Sequence, residues 1–367
     1  MLRLTVDQLQ PGMVTARNIF SANGKLLLAQ NIILDEPMIS RLETMGIDSV
    51  FVNHPFLEIE PQEIINEATR IETIKLTHRA FEHFEKKQTL NLMGIHQVMR
   101  KVIEDVLENR YALVHLTDIR IHGDYTFGHA INVCLLSVMM GVKMQLGQQE
   151  LYELAMGAIL HDLGMMLVPA DIRDKDGPLS SDEQKIVKGH TEDGFNILRK
   201  VGPIPLVSAH VAYQHHESAD GSGYPRGLSG ESIHLYARIA AVADLYDAIT
   251  SDRPYRKAFP QHEAYEIMQA SRGSRLDAQL VSFFLESVAL YPMGATVLLD
   301  TGEIGVVVEV FPKLQARPRV KVIADKAGRP WTGPEKVVDL TKDLIRSIVK
   351  VLSPEEIFQA RNMGKLS

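Results

Sequence analysis

Only one cysteine, Cys134, and one tryptophan occur among the 367 residues. A lone thiol excludes an intramolecular disulfide and any metal site built on several thiolates, so Cys134 reads as a small apolar residue within a helix. No apolar run approaches the roughly 20 residues that a bilayer span requires. The opening MLRLTVDQLQPGM has no apolar signal core, and a cytoplasmic protein without a membrane contact is expected. Nor is there an excess of basic residues. The formal net charge of −7 argues against binding a nucleic-acid polymer, while a local basic pocket for a small phosphorylated ligand is compatible with it.

What is present is a soluble-protein composition, 45% hydrophobic and 23% charged, on a chain long enough for two or three domains. Residues 1–57 read as a small α/β module, regulatory or dimerising in character. Its turns are Pro11-Gly12 and Ser21-Ala22-Asn23-Gly24, and a helix near Pro37–Met45 leads to a strand at Ser49–Val52. Residues 58–117 form a helical connector with a break near Thr89–Asn91, and its apolar stripes suggest a homodimer contact. His78, His83 and His96 sit there among charged residues and read as solvated. Residues 118–290 are strongly helical, with a loop at Ser218–Gly230. Residues 291–367 alternate β-branched residues with turn signals and close with a helix capped by Ser353. The fold class is therefore mainly α, a helical bundle carrying a small N-terminal α/β module and a C-terminal β-rich extension.

The third segment carries a series of histidines and acids: His129, His161-Asp162, His190, His215-His216 and Asp244. Successive members lie 25 to 32 residues apart, enough for a helix to leave a point and the next to return to it. Imidazoles and carboxylates delivered in this way can enclose two metal ions inside a bundle. Asp162 falls on the apolar stripe of Leu151, Leu154, Ala155 and Ala158, after which Gly164 ends the helix. Asp244 lies in LYARIAAVADLYDAIT, which is apolar nearly all round and so reads as buried. His129 shares a stripe with Val133, Leu136 and Met140. A buried carboxylate without a partner costs several kcal/mol, so each acid calls for a metal or a counter-charge. One such histidine alone would be an ordinary hydrogen-bonded core residue; five return visits carrying only His and Asp are not. The adjacent doublets, pointing about 100° apart on a helix, can serve two ions.

GAILHDLG, KGHTEDGFNIL, QHHESADGSGYPRGL and ARIAAVADLYDAITSDRPYR resemble the HD-GYP domain, a branch of the HD phosphohydrolase superfamily, over residues 118–290. Gly223-Tyr224-Pro225 is the tripeptide that gives the branch its name. The resemblance implies an HD-type bundle and a phosphodiesterase that hydrolyses cyclic di-GMP to pGpG, in many members onward to GMP, through a metal-bridging hydroxide; which end product forms stays open. It implies that His129, His161, Asp162 and Asp244 hold one metal, and that Asp162 bridges to a second held by His190, His215 and His216. His161 and Asp162 would be central to catalysis. Family members use iron or manganese; the nitrogen and oxygen ligands alone suit zinc as well. Arg253 and Arg256 match positions that grip phosphate or guanine, as an arginine fork can. Asp220 and the Gly223-Tyr224-Pro225 loop would shape the pocket rim or a protein contact.

Two positions depart from common members. Met165 stands where the family often has a phosphate-binding lysine, and Tyr125 where some members carry a glutamate for a third metal. Two metals are therefore expected. Two other readings stay open: a cyclic di-GMP-binding sensor with weak or no turnover, and a hydrolase of another substrate such as cyclic GMP-AMP or a nucleotide monophosphate.

Overall fold

The computed structural model describes residues 2–21, 25–45, 47, 49–53, 64–87, 89–109, 125–175, 177–201, 204–251, 258–311, 314–353 and 356–357, with the backbone alone at 2, 3, 125 and 126. The N-terminal module rests on two strand pairs. β1 (Leu2–Thr5) runs antiparallel to β4 (Ser49–Val52), β2 (Ile19–Phe20) runs antiparallel to β3 (Leu26–Leu28), and α1 (Glu36–Thr44) precedes β4. Asp35 caps α1 by accepting the Met38 N–H at 2.8 Å, and Pro37 occupies the first turn, where a missing N–H costs no helical bond. Leu4, Leu34, Leu42, Val50 and Val52 close a small apolar cluster of their own.

The bundle follows. α2 (Glu67–Lys87) and α3 (Met93–Glu108) are separated at the expected break, and α4 (Tyr125–Lys143) and α5 (Gln148–Ile159) lead to a 3-10 turn at Leu163–Leu167. Then come α6 (Ala170–Arg173), α7 (Ser181–Lys188), α8 (His190–Leu198), α9 (Leu206–Gln214), α10 (Leu235–Thr250), α11 (Gln261–Ala270) and α12 (Ala278–Leu285). α4 lies at the centre: it carries no Asp, Glu, Lys or Arg from Phe127 to Val142, and residues 127–141 are all buried. α5 and α10 pack against it, α2 and α3 also lie on it, and α9 contacts α5 and α10. α10 is buried along nearly its whole length, as its sequence implies.

The apolar stripes of α2 and α3, the basis for expecting a homodimer, are covered inside the chain. Phe81, Phe84, Ile95, Met99 and Val102 belong to the same apolar cluster as α4 and α5. The three histidines of this region are half-buried rather than solvated. His78 packs on Phe127 at 4.8 Å, His83 pairs with Thr89 at 3.1 Å, and His96 bonds the Tyr152 hydroxyl.

The C-terminal sheet is antiparallel in the order β8-β7-β6-β5-β9, where β5 is Thr296–Leu299, β6 Ile304–Glu309, β7 Arg319–Ala324, β8 Val337–Asp339 and β9 Ile348–Val351. Val320, Val322 and Ala324 alternate inward along β7. Ser353 and Glu356 exchange side chain–backbone hydrogen bonds at 2.9 and 3.3 Å in a capping-box pattern, and most of the expected closing helix lies outside the described residues. Among the described residues no helix is long and apolar enough to cross a membrane.

One local expectation needs correction. α5 ends at Ile159, so His161 and Asp162 lie in the turn beyond it, and Gly164 does not terminate the helix. Its role is close approach: a Cβ there would lie 2.0 Å from the His190 carbonyl oxygen and 2.7 Å from the Gly194 nitrogen. Backbone meeting backbone leaves nothing flexible to move aside. Gly164→Ala is expected to destabilise the fold by about 1–3 kcal/mol, read as a lower urea midpoint at unchanged slope. An unaltered midpoint would refute the contact.

Candidate metal centre

Helix ends deliver the imidazoles. The last carbonyls of a helix have no intrahelical donor, and three histidines supply one. His161 Nδ1 bonds the Ala158 carbonyl at 2.8 Å after α5, and His190 Nδ1 bonds the Val187 carbonyl at 2.6 Å after α7. His215 Nδ1 bonds the carbonyls of Val211 and Ala212 at 3.1 and 3.0 Å after α9. Each bond places the proton on Nδ1 and leaves Nε2 as a lone pair facing inward. Both doublets thus sit just past helix ends, not on helix faces as the spacing argument had placed them.

His129 reaches the same point from within α4. Its Nδ1 bonds Asp247 Oδ2 at 2.7 Å, and its Nε2 lies 3.1 Å from Asp244 Oδ1 on α10. Asp162 divides its carboxylate between two groups. Oδ1 lies 3.3 Å from His190 Nε2 and 3.4 Å from His215 Nε2, while Oδ2 lies 3.5 Å from His161 Nε2 and 3.8 Å from His129 Nε2. His216 turns Nδ1 toward Asp244 Oδ2 at 3.9 Å. The structure therefore brings all seven side chains together in two groups, His129-His161-Asp244 and Asp162-His190-His215-His216. Within each group the candidate donor atoms lie within 4.8 Å of one another.

The chemistry of this arrangement fits cations. His190 and His215 present Nε2 to Nε2 at 3.4 Å, both beside Asp162 Oδ1. Burial opposes charge on His190, but the Asp162 carboxylate outweighs it and raises its imidazole above the usual range, so the site favours a positive charge at this point. The buried Nε2 of His161 has no hydrogen-bond partner among the described residues. A buried polar atom left in that state costs about 1–3 kcal/mol. Neutral imidazoles and carboxylates, with no thiolate, suit Zn, Mn or Fe.

The electrostatics agree. Burial pushes the His161 imidazole down to about 4, so it is neutral at pH 7. Burial likewise holds His216 well below the usual imidazole range. Burial also opposes charge on His129, but hydrogen bonds to Asp244 and Asp247 outweigh it and hold its proton up to about 10. That proton occupies the Nε2 position a metal would take. Burial works against ionised Asp162, yet the surrounding imidazoles hold its carboxyl well below the ordinary range.

Two contributors, Asp247 and Glu217, escaped the sequence reading. Asp247, one turn after Asp244, is buried and held by Asn132 Nδ2 at 2.6 Å and Ser251 Oγ at 3.1 Å, so it fixes the His129 ring. Its signal was the i, i+3 spacing from Asp244 on an otherwise apolar helix. Glu217, directly after the histidine doublet, is buried and accepts the backbone N–H groups of Arg226 and Leu228 at 2.9 and 2.8 Å, pinning the following loop. Gly223 lets that loop close, since a Cβ would lie 2.3 Å from the Ser218 nitrogen. Asp220 caps the loop's own turn through Ser222. Arg253 and Arg256 lie outside the described residues, as does the Tyr125 side chain. Met165, half-buried, lies in the 3-10 turn beside the cage.

The chain is similar to known proteins. The HD domain family model matches residues 97–280, and a model for the KOW domain associated with HD domain matches residues 296–360. The chain is 33% identical over 279 residues to the cyclic di-GMP phosphodiesterase PA4108 of Pseudomonas aeruginosa, covering 76% of this chain and 67% of that protein. It is 34% identical over 168 residues to the 3'3'-cGAMP-specific phosphodiesterase 3 of Vibrio cholerae, covering 46% of this chain and 36% of that protein. In fold it is similar to Bd1817, a HDG"Y"P protein from Bdellovibrio bacteriovorus, with a TM-score of 0.52 at 17% identity over 77% of this chain and 97% of that one. The chain belongs to the HD domain family, in its HD-GYP branch.

Divalent metal should bind the folded state and raise its melting temperature as concentration climbs. Asp247→Asn keeps the shape but frees the His129 ring. It should weaken metal binding about 10–100-fold, measured by competition with a chromophoric chelator. Unchanged affinity would show that Asp247 does not orient His129.

Proposed function

We propose that this HD-GYP enzyme, a cyclic-dinucleotide phosphodiesterase by class, hydrolyses cyclic di-GMP to pGpG and onward to GMP at the His/Asp cage. The observation that carries the reading is the convergence of His161, His190 and His215 Nε2 on the Asp162 carboxylate, an arrangement that divalent cations would satisfy. His129, His161, Asp162 and Asp244 would hold one ion and His190, His215 and His216 the other, with Asp162 reaching both through its two oxygens. Iron or manganese is the proposed pair. When bound, two such ions lower the pKa of water toward neutrality and neutralise charge on phosphoryl oxygens.

The chain's own residues set the geometry of attack. Neutral His161 and ionised Asp162 sit at the junction of the two groups, where the phosphorus to be cut would lie. Asp247 keeps His129 from rotating, and the pinned 217–228 loop lays Tyr224 against His216. Arg253 and Arg256 would complete the grip on phosphate or guanine. The apolar residues behind the cage keep bulk water out of the region where charge develops.

A second reading, hydrolysis of cyclic GMP-AMP, draws on the Vibrio cholerae relative. The rival sensor reading draws on Met165, which offers a phosphate neither charge nor a hydrogen bond. Chromatography of nucleotide products after loading with manganese or iron tests all three. Cyclic di-GMP should yield pGpG, and His161→Ala with Asp162→Ala should reduce the rate at least about 100-fold. Faster turnover of cyclic GMP-AMP would move the assignment to the second reading. Tight binding of cyclic di-GMP without product would establish the sensor.

A further inference from the structure

The cage mouth holds a cation that the site as described does not use. The turn Leu163-Gly164-Met165-Met166-Leu167 contributes no charge on its side. α7 does: Lys188, in its last turn and two residues before His190, places Nζ 5.1 Å from the centre of the Tyr224 ring. That ring in turn lies 4.9 Å from the His216 imidazole at a shallow 31°, and the Tyr224 N–H bonds the His216 carbonyl at 3.1 Å. A metal-group histidine, an aromatic ring and an ammonium therefore follow one another outward from the cage.

The ring is a fixed platform, because Gly223 beside it packs against the backbone of Ser218 and His216. The lysine is unlike its neighbours. Lys185 pairs with Asp182 at 2.9 Å and Lys175 with Glu183 at 2.8 Å, whereas Lys188 is exposed and forms no ion pair with a carboxylate among the described residues. A lysine in a final turn also favours the helix dipole, but that requires no aromatic seat. An ammonium held over a ring face, with no carboxylate to neutralise it, is poised for an anionic ligand.

We infer that Lys188, positioned by the Tyr224 ring, binds a phosphoryl oxygen of the cyclic dinucleotide at the mouth of the cage and supplies the charge that Met165 cannot. The inference rests on the phosphodiesterase reading above. It makes Lys188 a substrate-binding residue and Tyr224 a positioning one.

The test uses the full chain loaded with manganese and cyclic di-GMP as probe. Lys188→Met should raise KM about tenfold while kcat, metal content and melting temperature stay near the parent values. Lys188→Arg should retain the parental KM, and Met165→Lys introduced into Lys188→Met should recover most of the loss. The salt dependence of KM should flatten in Lys188→Met, as expected when one phosphate contact is removed. A parental KM in Lys188→Met overturns the inference. Should the parent bind cyclic di-GMP without cleaving it, the hydrolase reading fails alone, and equilibrium dialysis then decides the role of Lys188. Equal affinity of parent and Lys188→Met overturns it, and affinity about tenfold weaker in Lys188→Met supports it. A parent that neither binds nor cleaves cyclic di-GMP overturns both.

Discussion

Imidazole nitrogens gathered around a buried carboxylate need a positive charge among them, and the fold must hold them there to receive it. His190 and His215 meet nitrogen to nitrogen beside an Asp162 oxygen, while His161 presents a buried nitrogen to no donor. The holding is done from behind. Each of these rings is anchored through its other nitrogen to the spare carbonyls of a helix end, so the feature that usually makes a helix terminus a liability orients a ligand here. Rotating any one ring would break that anchor.

The remaining ligand-type residues are secured by packing. α4 and α10 have almost no solvent face, so His129 and Asp244 cannot swing away without opening the bundle. Asp247 adds a charged latch between the same two helices, and its own carboxylate is tied by Asn132 and Ser251. The backbone contact at Gly164 sets the 163–167 turn against α8, bringing Asp162 to His190. Two carboxylates and five imidazoles thereby share one buried space, and among the described residues neither carboxylate pairs with an arginine or lysine. A charge balance of that kind is completed by protons or by metal ions.

Much of this was legible in the sequence, for identifiable reasons. His and Asp are rare on apolar stripes, so Asp162, Asp244 and His129 stood out by residue type, and the regular return interval marked them as a set. The all-apolar character of α10 announced its burial, and the β-branched alternation after Tyr291 announced the C-terminal sheet. What stayed hidden depended on partners distant in the chain. Asp247 contacts His129 across 118 residues; its place on an apolar helix points to burial, but nothing local to it names the partner. Glu217 bonds backbone groups, which have no sequence signature. Gly164 looked like a helix stop because glycine commonly is one, whereas its reason is a neighbouring backbone. The stripes of α2 and α3 were visible, but periodicity cannot say whether a second copy or the same chain will cover them.

The absence of a wet side on α4 also limits how this protein can change over time. Enlarging a side chain there pushes on α5 or α10, shrinking one leaves a void, and either disturbance is carried to His129 along the same rigid rod. Variation along that helix is restricted to exchanges that conserve volume. The strand-built modules at the two ends of the chain close separate apolar clusters and are free of that restriction. Divergence among related chains can thus accumulate at the extremities while the middle keeps its dimensions.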